Sequence, residues 1–249
     1  MQLTLSAVAQ TPEELGLKIA TEAREKERGF GDSTAKLKMI LRQKSGQESE
    51  RELRMKTLEV EGDGNRSIVV FDRPRDVRGT ALLTHVNLDD SDEQWLYLPA
   101  LKRVKRISSS NIAGSFMGSE FSFEDMKSTE VNKYDYQYIR DEDCGEFQCT
   151  VVERYPKEKG SGYTRQVVWR DKDELRIWKI HYFDRKESHL KTLIFSDYKL
   201  HEDKYWYADF MSMVNHQSGK STDLVWSEYE FGTGLDEKDF TSTGLKRVR

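Results

Sequence analysis

Long hydrophobic runs are missing from this chain, and no stretch approaches the length that a membrane-spanning helix requires. A basic surplus is missing as well. The formal net charge is −4 and the pI is near 5.9, which argues against a nucleic-acid partner, whose binders usually carry excess positive charge. Cysteine is almost absent, with Cys144 and Cys149 alone. Two cysteines with no histidine near them in sequence cannot form a zinc site. They flank Gly145-Glu146-Phe147-Gln148 between two strand-like runs, and across such a hairpin loop they can reach the roughly 5.5 Å Cα separation of a disulfide. Two reduced structural thiols are the other reading. Catalytic signatures are missing too: there is no Gly-x-Ser-x-Gly, no His-Glu-x-x-His, no phosphate loop and no dinucleotide fingerprint. The five histidines, His85, His181, His189, His201 and His216, are scattered on or beside predicted strands. No enzyme, metal or cofactor is expected from this inventory.

What the chain does contain is half-buried sheet. Charged residues make up 34% and apolar ones 36%, so many strand positions face water on one side, as in open antiparallel sheets. Thr11-Pro12-Glu13-Glu14 supplies an N-cap, a proline at the first helical position and a capping-box glutamate. Leu15, Ile19 and Ala23 then recur at helical spacing, which predicts one amphipathic helix from 12 to about 27. Past Gly31 the period becomes two, with Leu37, Met39 and Leu41 on one face. Further strand-like runs follow at roughly 49–60, 65–72, 81–87, 93–98, 102–108, 134–141, 147–155, 163–170, 175–183, 189–200, 204–215 and 221–231. Their short polar connections, such as Lys44-Ser45-Gly46-Gln47 and Gln217-Ser218-Gly219-Lys220, suit hairpins. The expected order is one helix, six strands, an irregular flap and seven more strands. No linker-like composition shift divides the chain, so residues 10–249 read as one mainly β domain with a helical lid.

The flap is the distinctive segment. Trp95 to Ile107 alternates aromatic and branched residues around a proline turn, and Gly114 to Met126 then interleaves Gly and Ser with Phe and Met. A long curved sheet must cover its apolar face, and only the N-terminal helix and the flap over 108–127 are available to do so. Two short covers leave space beneath them, so a hydrophobic cavity is expected. Phe116, Met117, Phe121, Phe123 and Met126 are candidates for its lid, or for ordinary core. Leu37, Met39, Leu41, Leu53 and Met55 line either a filled core or the cavity wall, and Trp95 and Tyr97 join the candidate lipid-binding set. Lys102, Arg103, Lys105 and Arg106 could meet lipid headgroups or an acidic partner, or form the solvated face of a strand.

Three motifs in order, Gly79-Thr80-Ala81-Leu82-Leu83-Thr84, the Trp95-to-Ile107 run and Ser115-Phe116-Met117-Gly118-Ser119-Glu120-Phe121-Ser122-Phe123-Glu124-Asp125, together resemble the bacterial outer-membrane lipoprotein-sorting-like family of the LolA/LolB-like superfamily. The similarity runs from the first helix to Phe240. It implies an incomplete antiparallel β-barrel closed by helices, with a cavity for the acyl chains of a lipid or lipoprotein. Periplasmic residence is implied too, which favours reading Leu3-Thr4-Leu5-Ser6-Ala7-Val8-Ala9 as the end of a signal peptide over a disordered start. The expected partners are an inner-membrane lipid-exporting transporter of the resistance-nodulation-division type and an outer-membrane acceptor. A carrier delivering its cargo between such partners is the leading expectation, and a lipid-sensing module of the same fold is the alternative.

Overall fold

The computed structural model describes residues 10–247. Residues 1–9, where the signal-peptide reading falls, lie outside them. Helix α1 (Pro12–Glu27) starts where the capping box requires: the Thr11 side chain accepts from the Glu14 N–H at 3.2 Å, and Glu14 accepts from the Thr11 N–H at 3.0 Å. Thirteen strands follow: β1 (Asp32–Arg42), β2 (Glu48–Leu58), β3 (Arg66–Arg73), β4 (Ala81–His85), β5 (Glu93–Leu98), β6 (Arg103–Arg106), β7 (Tyr134–Cys144), β8 (Phe147–Pro156), β9 (Tyr163–Asp171), β10 (Ile177–Asp184), β11 (His189–His201), β12 (Tyr205–Asn215) and β13 (Ser221–Phe231).

They form one antiparallel sheet in the order β6-β5-β4-β3-β2-β1-β13-β12-β11-β10-β9-β8-β7. The chain therefore runs outward as a meander, crosses through residues 107–133, and returns as a second meander that pairs its last strand with its first. Among the described residues strands β6 and β7 are the two unpaired edges, so the sheet is an incomplete barrel. The β7–β8 hairpin is closed by a Cys144–Cys149 disulfide with Cα atoms 5.8 Å apart. Lys102, Arg103, Lys105 and Arg106 are exposed on and beside β6, where Arg106 pairs with Glu93 at 2.6 Å. Charge along an unpaired edge opposes strand addition by another chain.

Alternation sorts the strand residues onto two faces. Leu37, Met39, Leu41, Leu53, Val69, Phe71, Leu82 and Leu96 share the inner core with residues of β9 to β13 and the flap. Ile68, Val70, Ala81 and Leu83 point the other way and are covered by the C-terminal segment through Phe240 and Leu245. Trp95 and Tyr97 join this outer cluster because Leu96 and Leu98 hold the inward parity of β5.

Candidate functional site

The crossing segment divides into a plug and a roof. From Gly114 to Phe123 it folds into a tiny hairpin, with the Phe116 N–H bonded to the Phe121 carbonyl at 2.7 Å and the Phe123 N–H to the Gly114 carbonyl at 3.0 Å. Phe116 is 0% exposed and packs on Phe71 and Phe123, with ring centroids 5.6 and 5.8 Å away. The hairpin is pinned by polar contacts at its rim. Arg51 donates to the Met117 carbonyl, Thr222 Oγ1 accepts from the Glu120 N–H at 3.0 Å, and Gln94 Nε2 donates to the Phe123 carbonyl at 2.9 Å.

Asp125 is the hub that follows. It accepts from the Ser122 N–H at 2.7 Å, from Tyr163 OH at 2.9 Å and from Lys191 Nζ at 2.6 Å. Its neighbour Glu124 accepts from Ser161 Oγ at 2.7 Å and the Gly162 N–H at 2.8 Å. Burial, reinforced by the charge of Asp125, pushes the Glu124 carboxyl above its usual range. Lys127 then bridges Asp92 at 2.9 Å and Glu158 at 2.7 Å.

Beyond this row the inner face is not filled. A cavity of about 470 Å3 lies between the sheet, α1 and the roof segment from Glu124 to Tyr134, within the ~300–1,000 Å3 typical of small-ligand sites. Helix α1 forms part of its cover, burying Ile19, Ala23 and Arg24. Gly16 allows that approach, because a Cβ there would lie 2.8 Å from the Tyr138 backbone nitrogen. The helix is clamped to the roof by Glu130, which is 1% exposed and meets Arg24 Nη2 and Arg28 Nη2 at 2.6 Å each.

The cavity wall is built from Met55, Leu193, Phe195, Tyr198, Trp206, Tyr207, Ala208, Met211, Leu224, Trp226 and Tyr229. A β-bulge brings the last two together. The β1–β13 register shifts between Thr34 and Lys36, leaving Glu228 as the extra residue with φ 52°. The inward parity of β13 changes there, so Trp226 and Tyr229 both line the cavity with rings stacked 6.0 Å apart. Tyr207 stands 5.2 Å from Tyr229. Burial pushes both phenol groups above their ordinary range, keeping them neutral hydrogen-bonding groups.

Of the sequence candidates, Met55, Phe121 and Met126 line this cavity. Leu37, Met39, Leu41, Leu53 and Phe116 lie in the packed inner core, with Met117 and Phe123 against it. Trp95 and Tyr97 are on the outer face. The aromatic residues of β11 to β13 were not among the candidates, although β13 carried a signal. Its aromatic residues run Trp226 and then Tyr229, Phe231, an even-to-odd switch at Ser227-Glu228 that marks a bulge, while Val225 between Leu224 and Trp226 is exposed. Among the described residues no group of three or more His, Cys, Asp or Glu side chains is placed to hold a metal, and no helix is long and apolar enough to cross a membrane.

Comparison with known proteins agrees with this architecture. A family model described as an "Uncharacterized protein" family matches residues 63–247. No curated protein matches the chain. Among solved structures, a domain from Vibrio parahaemolyticus that carries the name of an outer-membrane lipoprotein-sorting protein is 51% identical, with a TM-score of 0.92, covering 94% of this chain and 100% of its own. A DUF1329 family protein from Desulfovibrio piger is 31% identical, with a TM-score of 0.89, covering 95% and 100%. A LolA superfamily protein from Nitrosomonas europaea shares the fold at 18% identity and a TM-score of 0.74, covering 94% and 98%. With its fold and about half of its residues shared with the Vibrio domain along nearly the whole chain, the chain belongs to the outer-membrane lipoprotein-sorting-like family.

Proposed function

We propose that the protein is a non-enzymatic periplasmic carrier that holds the acyl chains of a lipid or lipoprotein and delivers them between membrane partners. The observation that supports this reading most is the 470 Å3 cavity on the inner face, walled by Met55, Phe195, Met211, Trp226 and Tyr229. An acyl chain entering it leaves water at about 0.8 kcal/mol per CH2. The Glu130 clamp between α1 and the roof is the joint through which a partner would open the site. The supplying partner is an inner-membrane lipid-exporting transporter and the receiving one an outer-membrane acceptor.

The test is mass spectrometry of organic extracts from protein purified without detergent, for the native chain and for Ala208→Trp, which fills the cavity from a buried position of its wall. A defined lipid near stoichiometry in the native protein, lost from the folded variant, is expected. A native protein that carries no lipid and takes up none when offered would contradict the reading.

A further inference from the structure

Almost every buried charge around the cavity has an opposite charge beside it. Arg24 has Glu130, Lys191 has Asp125, Arg176 has Asp171, and Lys127 has Asp92 and Glu158. Arg154 does not. It lies on β8, lines the cavity, and is 7% exposed. Among the described residues no carboxylate oxygen comes within 4.0 Å of its guanidinium. Its contacts are neutral: Nε donates to Gln166 Oε1 at 2.6 Å, Nη1 donates to Thr129 Oγ1 at 3.4 Å, and the group sits 4.9 Å from the Tyr134 ring centroid.

A guanidinium offers five N–H donors in a planar fork, and only two are used here. Burying such a cation without an anion is costly. Glu124, the cavity carboxyl without a cation in contact, already accepts from Ser161 and Gly162, and burial pushes it toward its neutral form. A second polar group next to Thr129 in the chain is also unspent: Ser128 lines the same cavity, and its buried Oγ has no hydrogen-bond partner among the described residues.

Building on the carrier reading, we infer that the cargo is an amphiphile with an anionic headgroup, a carboxylate or a phosphate, and that Arg154 is its counter-ion, with the chain lying along the aromatic wall. The fork geometry of Arg154 suits two-pronged contact with either oxyanion. Its Gln166 and Thr129 bonds fix the fork while leaving donors free.

The experiment measures binding of dodecyl phosphate, dodecanol and inorganic phosphate to the native protein, Arg154→Gln and Arg154→Lys, with thermal melts confirming that each is folded. In the native protein dodecyl phosphate is expected to bind at least about tenfold more tightly than dodecanol, ~1.4 kcal/mol. That ratio should fall to near one in Arg154→Gln and be partly kept in Arg154→Lys. A native ratio near one, or a ratio that survives in folded Arg154→Gln, overturns the Arg154 assignment while leaving the carrier reading standing. Should Arg154→Gln not fold, the native ratio and its reduction in Arg154→Lys decide. Ready displacement of dodecyl phosphate by inorganic phosphate at equal concentration would mark a free-anion site and overturn the headgroup assignment. Failure of both dodecyl probes to bind the native protein counts against the carrier reading itself.

Discussion

The plug and the roof are two halves of one crossing segment, laid over one sheet, and they meet that sheet in opposite ways. From Gly114 to Phe123 the segment is anchored by apolar packing: Phe116 and Phe121 are buried in the inner core, Phe123 packs against it, and Phe116 lies on Phe71. From Glu124 to Tyr134 the segment is held by charge, through Asp125 with Lys191, Lys127 with Asp92 and Glu158, and Glu130 with Arg24 and Arg28. Beneath the roof, rings such as Trp226 and Tyr229 face open volume. Apolar packing is permanent in a folded protein, whereas a charge-clamped cover over an unfilled apolar wall can separate without unfolding the sheet. On the proposed carrier reading, the difference assigns stability to the plug and exchange to the roof.

The sharpest way to break that assignment is to exchange the two losses. Phe116→Ala removes a fully buried ring from the plug and should cost about 3–5 kcal/mol of stability, with little change in affinity for a dodecyl probe once the protein is folded. Trp226→Ala, in the half-buried cavity wall, should weaken the probe strongly and cost less in denaturant unfolding than Phe116→Ala. Equal stability losses, or a larger binding loss from Phe116→Ala, would erase the distinction between the regions.

Glu130→Gln tests the roof. It leaves the buried Arg24 with only the more distant, half-exposed Glu27 carboxylate at 3.9 Å, and since Arg28 remains partly solvated, a cost of about 3 kcal/mol is expected, the low end for a broken buried pair. Because the loss falls on the clamp, hydrogen exchange should accelerate first in α1 and residues 124–134. Uniform acceleration across the sheet would show that the roof is as much a part of the core as the plug.

The smallest effect at neutral pH lies on the outer face and serves as a control. His181, His189 and His216 pack there at tilted angles, with ring centroids 4.5 and 4.4 Å apart. Burial, then the charge of His189, lowers His181 from 6.5 to about 4. The unfolded chain therefore takes up that proton first as pH falls, so the stability contributed by neutral His181 should decline between about pH 6.5 and 4 and level off below. His181→Gln should flatten that part of the profile, read as denaturation midpoint against pH, while the difference between Phe116→Ala and Trp226→Ala persists.

Much of the fold was legible because its signals are local. The capping box at Thr11 placed α1, and two-residue periodicity with short polar turns placed thirteen strands in order. The site was harder to read. In β5 the residues Trp95, Leu96, Tyr97 and Leu98 are all apolar because the C-terminal segment covers the outer face there, so alternation cannot say which pair faces inward. The Gly- and Ser-rich flap offers no period at all, and burial of Phe116 follows from where β2 and β3 place Leu53 and Phe71. Arg154, set between Glu153 and Tyr155, looks like any strand charge until the absence of an acid beside it is seen in three dimensions. Cavity residues Trp226 and Tyr229 were legible in principle through the parity switch of β13.

The most direct test of the central claim is photocrosslinking of the protein with a diazirine-bearing fatty acid, with the labelled positions mapped by peptide mass spectrometry. Labels at 205–211 and 224–229, competed away by unlabelled fatty acid, are the expected result. Labels concentrated on the plug at 114–119, or on the outer face around Trp95 and Tyr97, would contradict it.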